Sequence, residues 1–300
     1  LSGKYKMPLS SSPEYHNNSI HAWFKNFSNH DLALVKSFYK NYAEVMSNSG
    51  NSHFRKILPD GDRYPSFDVN ETGLTIAPGQ DLDQSHRHHA HLMAIHPLGL
   101  LNMENEKEKD IILKSLRWSE KKGTNNWVGY SFSWAACIYA RAYDAENAAG
   151  MLQKFATHFC SANSFHLNGD QKGGQYSSFT YRPFTLEGNF AFAQGVHEML
   201  LQSHKNFIDI FPATPQSWKN VSFNSLRTEG AFLVSAKKEN GVPTQVKIKS
   251  TVGGILRIKL PFKTFIEKGI NRSNIQQDVD GIISIKTVSG QEIVFENGYE

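Results

Sequence analysis

The apolar residues of this 300-residue chain change their period near residue 205, and no other feature constrains the fold as strongly. Upstream they recur at steps of three and four, the spacing of one helix face. Downstream they alternate, the spacing of a strand with one buried side. The pattern predicts an α region over 1–204 and a separate β domain over 205–300.

Within the α region, Asp31 reads as the N-cap of a helix running to about Met46, with Leu32, Val35, Phe38, Tyr39 and Tyr42 on one stripe. Asn, Gly, Asp and Pro crowd residues 48–84, which read as an irregular excursion. Residues 105–121 form a helix burying Ile111, Ile112, Leu113, Leu116 and Trp118. Two apolar helices over 131–143 and 145–159 meet near Asp144, a link short enough to predict an antiparallel helical hairpin. After a polar loop over 161–186, Phe192, Val196, Met199 and Leu200 mark a helix over 188–204. Strands are expected at 222–226, 231–236, 245–250, 254–260, 282–285 and 292–295, making a small antiparallel β-sandwich.

Composition excludes some classes of function. The 32 basic and 28 acidic residues are interspersed, so a net charge of +4 supplies no footprint for nucleic acid or an anionic membrane. No apolar run approaches the roughly 20 residues of a membrane helix, and the N-terminus lacks a signal-peptide pattern. Neither nucleic acid nor membrane is an expected partner. Cys137 and Cys160 fall in apolar helical patterns and read as buried free thiols. The 20 Phe, 11 Tyr and 5 Trp serve cores first, although flat apolar faces also suit sugar clefts.

Two carboxylates in polar segments beside helical patterns, Glu14 and Glu187, stand 187 − 14 = 173 residues apart. Hydrolysis of a glycosidic bond needs such a pair: one protonated acid for the leaving oxygen, and one group that helps water attack the anomeric carbon. Spacing alone leaves each equally readable as a solvated first-turn residue. Their context narrows the reading. Ser12-Pro13-Glu14, His86-Arg87-His88-His89-Ala90-His91, Gly129-Tyr130-Ser131-Phe132, Glu187-Gly188-Asn189-Phe190, Glu198-Met199-Leu200-Leu201 and Phe211-Pro212-Ala213-Thr214-Pro215 occur in that order. Together, over about residues 7–260, they resemble the C-terminal half of glycoside hydrolase family 95, chiefly inverting α-L-fucosidases with some α-L-galactosidases.

The resemblance implies a fold: part of an (α/α)6 toroid, with its site at one mouth, followed by a β-sandwich. It implies that Glu14 is the general acid, kept protonated by burial or by a neighbouring negative charge. It implies that Glu187 activates water together with asparagines upstream of this chain. Arg87 and His88 are assigned to sugar hydroxyls, and Asn189, beside Glu187, joins the substrate-binding set. The family usually has Asp at the position of Glu187 and Gly at that of Ala191, which puts substrate identity, and activity itself, in question. No cofactor is implied. The chain begins at Leu1, already inside the family's pattern, so it reads as a fragment whose N-terminal half completes the ring. Bacterial members are often periplasmic or secreted, which sets the expected location.

His166, Asn168 and Asp170, in the loop before Glu187, fit a cleft lining, though turns favour the same residues. Trp23, Trp127, Trp134 and Tyr181 are candidates for stacking on sugar, with Trp134 better suited to a core. His86 and His91 read as structural, and the histidine cluster lacks the partner spacing of a zinc site. The expected partner is therefore an oligosaccharide or glycan, released residue by residue from its end with inversion. Two alternatives stay open. One is phosphorolysis on the same architecture, which Glu187 disfavours because a carboxylate repels phosphate. The other is a sugar-binding homologue without turnover.

Overall fold

A computed structural model describes residues 3–48 and 61–298; the part of the 48–84 excursion at 49–60 lies outside the described residues. The chain divides into two compact units, residues 1–142 with 150–192, and residues 143–149 with 193–300.

The first unit opens with two short antiparallel strands, β1 (Ser10–Ser11) and β2 (Trp23–Phe24), that flank the segment carrying Glu14. Helix α1 follows (Asn29–Asn48). Its cap is Ser28 rather than the expected Asp31: the Ser28 hydroxyl accepts from the Asp31 amide at 3.1 Å. The Asp31 carboxylate is instead taken by the Ser10 hydroxyl at 2.6 Å, tying the helix start to β1. Leu32 and Ala33 are buried, whereas Phe38 is largely exposed. The described part of the excursion has a fold of its own. Strands β3 (Val69–Asn70) and β4 (Gly73–Leu74) pair, and Ile76 and Leu82 join Tyr15 and Ala22 in a small core.

Helix α2 (Glu106–Lys122) is capped by Asn105, whose side chain accepts from the amides of Lys107 and Glu108. Acidic residues in its first turn and lysines in its last complement the helix dipole, and Gly123, at φ 73°, terminates it. Helix α3 (Gly129–Arg141) is buried on nearly every side. An all-round apolar helix has to be interior, and Phe132 fills its centre against Trp127 and Phe159. Helix α4 (Ala145–His158) and helix α5 (Glu187–Leu200) complete the set. Neither cysteine is in a disulfide; Cys137 is buried as expected, whereas Cys160 lies beyond α4 and is only partly buried.

The second unit contains two five-stranded sheets. Helix α5 ends at Leu200, short of the expected residue 204, because Leu201–Gln202 form strand β5, paired with β6 (Ile208–Ile210). The later strands are β7 (Val221–Thr228), β8 (Phe232–Glu239), β9 (Val242–Ser250), β10 (Gly254–Lys259), β11 (Phe265–Lys268), β12 (Gln276–Gln277), β13 (Ile282–Thr287) and β14 (Glu292–Asn297). The sheet orders are β12-β13-β10-β6-β5 and β11-β14-β9-β8-β7. Pairing is antiparallel except between β10 and β6, which run parallel. Alternate residues of β8, namely Phe232, Val234 and Ala236, point into one core with Ile258, Ile283 and Phe295 from the other strands. That is the period-2 pattern legible from residue 205 onward.

Candidate active site

Glu14 sits in a backbone that few side chains adopt willingly. Its φ is 54°, and His16, Asn17 and Asn18 are also left-handed at 45°, 54° and 57°. Asn and His tolerate this region better than most residues, and such strain persists only where the surroundings over-determine it. The surroundings here are explicit. Tyr15 is completely buried, and its hydroxyl donates to Asp83 at 2.6 Å. Burial, reinforced by Asp83, pushes that hydroxyl's pKa up, so it stays a donor. The Asn18 side chain accepts from the Glu14 amide at 2.9 Å. The His86 ring donates from Nε2 to the Pro13 carbonyl at 3.1 Å, as a neutral imidazole must, since burial brings its pKa down to about 4.

Among the described residues, the Glu14 carboxylate is gripped on one oxygen. Oε2 receives Arg87 Nε at 2.8 Å, Arg87 Nη2 at 2.5 Å and His88 Nε2 at 2.8 Å. The sequence implied an acid with a raised pKa, and the structure reverses that. The His88 hydrogen bond, then the Arg87 charge, outweigh burial and hold Glu14 below the usual carboxylate range. Arg87 is itself positioned from behind, because the Ser131 hydroxyl in the first turn of α3 donates to the Arg87 carbonyl at 2.6 Å. His89 closes the array, buried between the rings of Trp127 and Trp134 with Nε2 on the Ser131 carbonyl.

Glu187 is the first residue of α5, where an acidic side chain complements the helix dipole. It lines the same cleft as Glu14, Arg87 and His88, a space of about 520 Å³. Asn17 and Asn168 add polar groups to the lining, and Val128, Tyr130, Phe179 and Tyr181 supply its apolar surface. The Asn168 Nδ2 donates to the Tyr181 hydroxyl at 3.2 Å while its Oδ1 is buried without a partner among the described residues. A buried acceptor left that way costs about 1–3 kcal/mol, so it is poised to take a hydrogen. Tyr130 has its pKa raised, chiefly by burial and further by Cys137 and Glu187.

Five residues read from the sequence as site members therefore share one cleft: Glu14, Arg87, His88, Asn168 and Glu187. Three do not line it: His166, Asp170 and Asn189. The Asp170 carboxylate is buried and accepts from the amides of Lys172 and Tyr176, with His158 beside it. Asn189 accepts from the His166 amide and donates to the Ser164 carbonyl. Both side chains brace the 161–186 loop because its many backbone polar groups need partners. Trp127 and Trp134 are core, leaving Tyr181 as the cleft aromatic among those proposed for stacking. Tyr130 was missed; it lay in view in Gly129-Tyr130-Ser131-Phe132, but at a helix start, where aromatics default to packing. Among the described residues, no three His, Cys, Asp or Glu side chains are grouped to hold a metal ion.

Comparison with known proteins matches this architecture in two parts. Residues 2–200 match the model of the glycosyl hydrolase family 95 catalytic domain, and residues 202–295 match that family's C-terminal domain. The chain belongs to glycoside hydrolase family 95. Among curated proteins it is similar to alpha-L-fucosidase 2 of Arabidopsis thaliana, at 28% identity over 220 residues. That match covers 70% of this chain and spans about a quarter of the relative, 25% of its length.

Proposed function

We propose that the chain carries the acid and base of an exo-acting, inverting glycoside hydrolase that removes terminal α-L-fucosyl or related α-L-galactosyl residues from glycans. One observation carries the reading: two glutamates from segments far apart in sequence line a single cleft that also contains an arginine, a histidine and aromatic faces. Glu14 protonates the departing glycosidic oxygen and Glu187 directs a water to the opposite face of the sugar. The apolar lining suits the methyl group of a 6-deoxy sugar better than a hydroxymethyl, which favours fucosyl over galactosyl substrates. In architecture, residues 1–204 represent the C-terminal portion of an (α/α)6 toroid, and 205–300 a β-sandwich.

Glu14 must be protonated to act, yet Arg87 and His88 favour its ionised form. The two requirements are reconciled if sugar hydroxyls compete for the same donors. Each donor drawn from Oε2 to the substrate removes a reason for the carboxylate to stay charged. Oε1, on which no donor converges among the described residues, is the oxygen left to carry the proton.

The test is turnover of aryl α-L-fucoside, α-L-galactoside and β-linked controls by the intact protein, beside Glu14→Gln and Glu187→Gln. Cleavage of one α-L-glycoside with inversion, lost by about 10³-fold or more in both variants, is the expected result. Undiminished turnover in Glu187→Gln removes that residue from the reaction. Sugar binding without turnover of any substrate makes the chain part of a carbohydrate-binding homologue.

A further inference from the structure

We propose that His166 is a positioning residue for Glu187, its imidazole fixing the first turn of α5 against the start of α3. This role rests on the reading of Glu187 as the group that activates water. His166 is completely buried, and its ring occupies space that two glycines leave open. A Cβ on Gly129 would fall 2.3 Å from Nε2, and one on Gly188 would fall 2.4 Å from Nδ1. Gly129 immediately precedes Tyr130, and Gly188 immediately follows Glu187. The ring thus sets the separation between two helix starts that each present a side chain to the cleft.

Hydrogen bonds reinforce the wedge on both sides of Glu187. Nδ1 meets the Thr185 carbonyl at 2.8 Å and the Thr185 hydroxyl at 2.9 Å. A carbonyl cannot donate, so Nδ1 carries the hydrogen. The His166 amide donates to Asn189 Oδ1 at 2.9 Å, and Asn189 Nδ2 donates to the Ser164 carbonyl at 2.9 Å. Residues 185 and 189, two positions either side of Glu187, are therefore both tied to the strip 164–166.

The choice of residue supports the role. Nε2 is buried with no hydrogen-bond partner among the described residues. A phenyl ring would fill the same space without that defect. What the imidazole adds is the Nδ1–H on Thr185, the tie that fixes the chain two residues before Glu187. Burial lowers its pKa, so the ring acts by shape and one N–H, not by charge.

The test uses the intact protein and the aryl α-L-glycoside it turns over best, with pH profiles and melting temperatures measured for every variant. His166→Phe keeps a ring and removes the N–H, His166→Asn keeps a donor close to the place of Nδ1, and Gly188→Ala forces the ring or helix aside. His166→Phe and Gly188→Ala are expected to lower kcat by about 10- to 100-fold, with KM within about threefold and a displaced acid limb in the kcat profile. His166→Asn is expected to recover part of the kcat lost in His166→Phe. The positioning role is overturned if His166→Phe keeps kcat within about twofold of the parent, or if its loss follows a fall in melting temperature and disappears on cooling. Where His166→Phe does not fold, Gly188→Ala and His166→Asn decide by the same criteria. Glu187→Gln, run in parallel, separates the failures. If it is inactive while His166→Phe is active, only the role of His166 falls. If it is active, the base role of Glu187 falls and the positioning role with it.

Discussion

Lowering the pH from 7.5 to 5.5 should strip the protein of a large part of its stability, and three histidines allow the loss to be worked out. His86, His89 and His91 are buried, and burial, the largest influence on each, brings their pKa values down to about 4, about 4 and about 3. In the unfolded chain a histidine titrates near about 6.5. Below that value the unfolded state takes up protons that the folded state refuses, so stability is full above about pH 7 and falls as the pH drops toward the folded values. Between pH 7.5 and 5.5 each group costs about 1.4 kcal/mol, and the three together about 4 kcal/mol. A typical folding free energy is only about 5–15 kcal/mol. His166, lowered by burial as well, acts in the same direction. The carboxylates held low, Glu14, Asp31 and Asp170, have the same sign but act in a more acid window: their contribution is present above about pH 4.5 and lost as pH falls further. Urea titrations at pH 7.5, 6.5 and 5.5 measure the loss, and His91→Leu should reduce it by about a third because one of three proton sites is gone. Stability constant to within about 1 kcal/mol over that range would refute the argument, since it would mean that these rings are charged or solvated in the folded state.

Other perturbations test other links. Arg87→Gln should raise KM by about 10-fold or more through loss of a charge-assisted hydrogen bond. It should also shift the alkaline limb of kcat/KM to higher pH, because a charge that holds Glu14 ionised is gone; a pH–rate profile reads both effects. Gly73→Ala should destabilise the protein by about 1–3 kcal/mol in denaturant titration, because Gly73 has φ +92° and its Cβ would lie 2.3 Å from Ser115 Oγ. Phe132→Ala should cost about 3–5 kcal/mol by the same measurement, since that ring is fully buried between Trp127 and Phe159.

What the sequence alone determined is whatever depends on neighbours a few residues away. The alternation after residue 205 marks the long strands, the apolar spacing over 105–121 marks α2, and Phe232, Val234 and Ala236 announce a strand with one buried face. The ordered motifs also pointed to the family to which the chain belongs. Tertiary structure decided what depends on partners far along the chain. Ser10 takes the Asp31 carboxylate and leaves the capping of α1 to Ser28. Asp170 and Asn189, polar residues in a polar loop, turn to satisfy that loop's own backbone. Glu14, read as a protonated acid, meets Arg87 and His88 from 73 and 74 residues away and is held ionised. His166, read with Asn168 and Asp170 as cleft lining, fits instead between two glycines that only the fold brings to either side of it. Periodicity records which face of an element is buried, but a carboxylate's protonation and a ring's resting place depend on which distant atoms close around them, and that information resides in the packing.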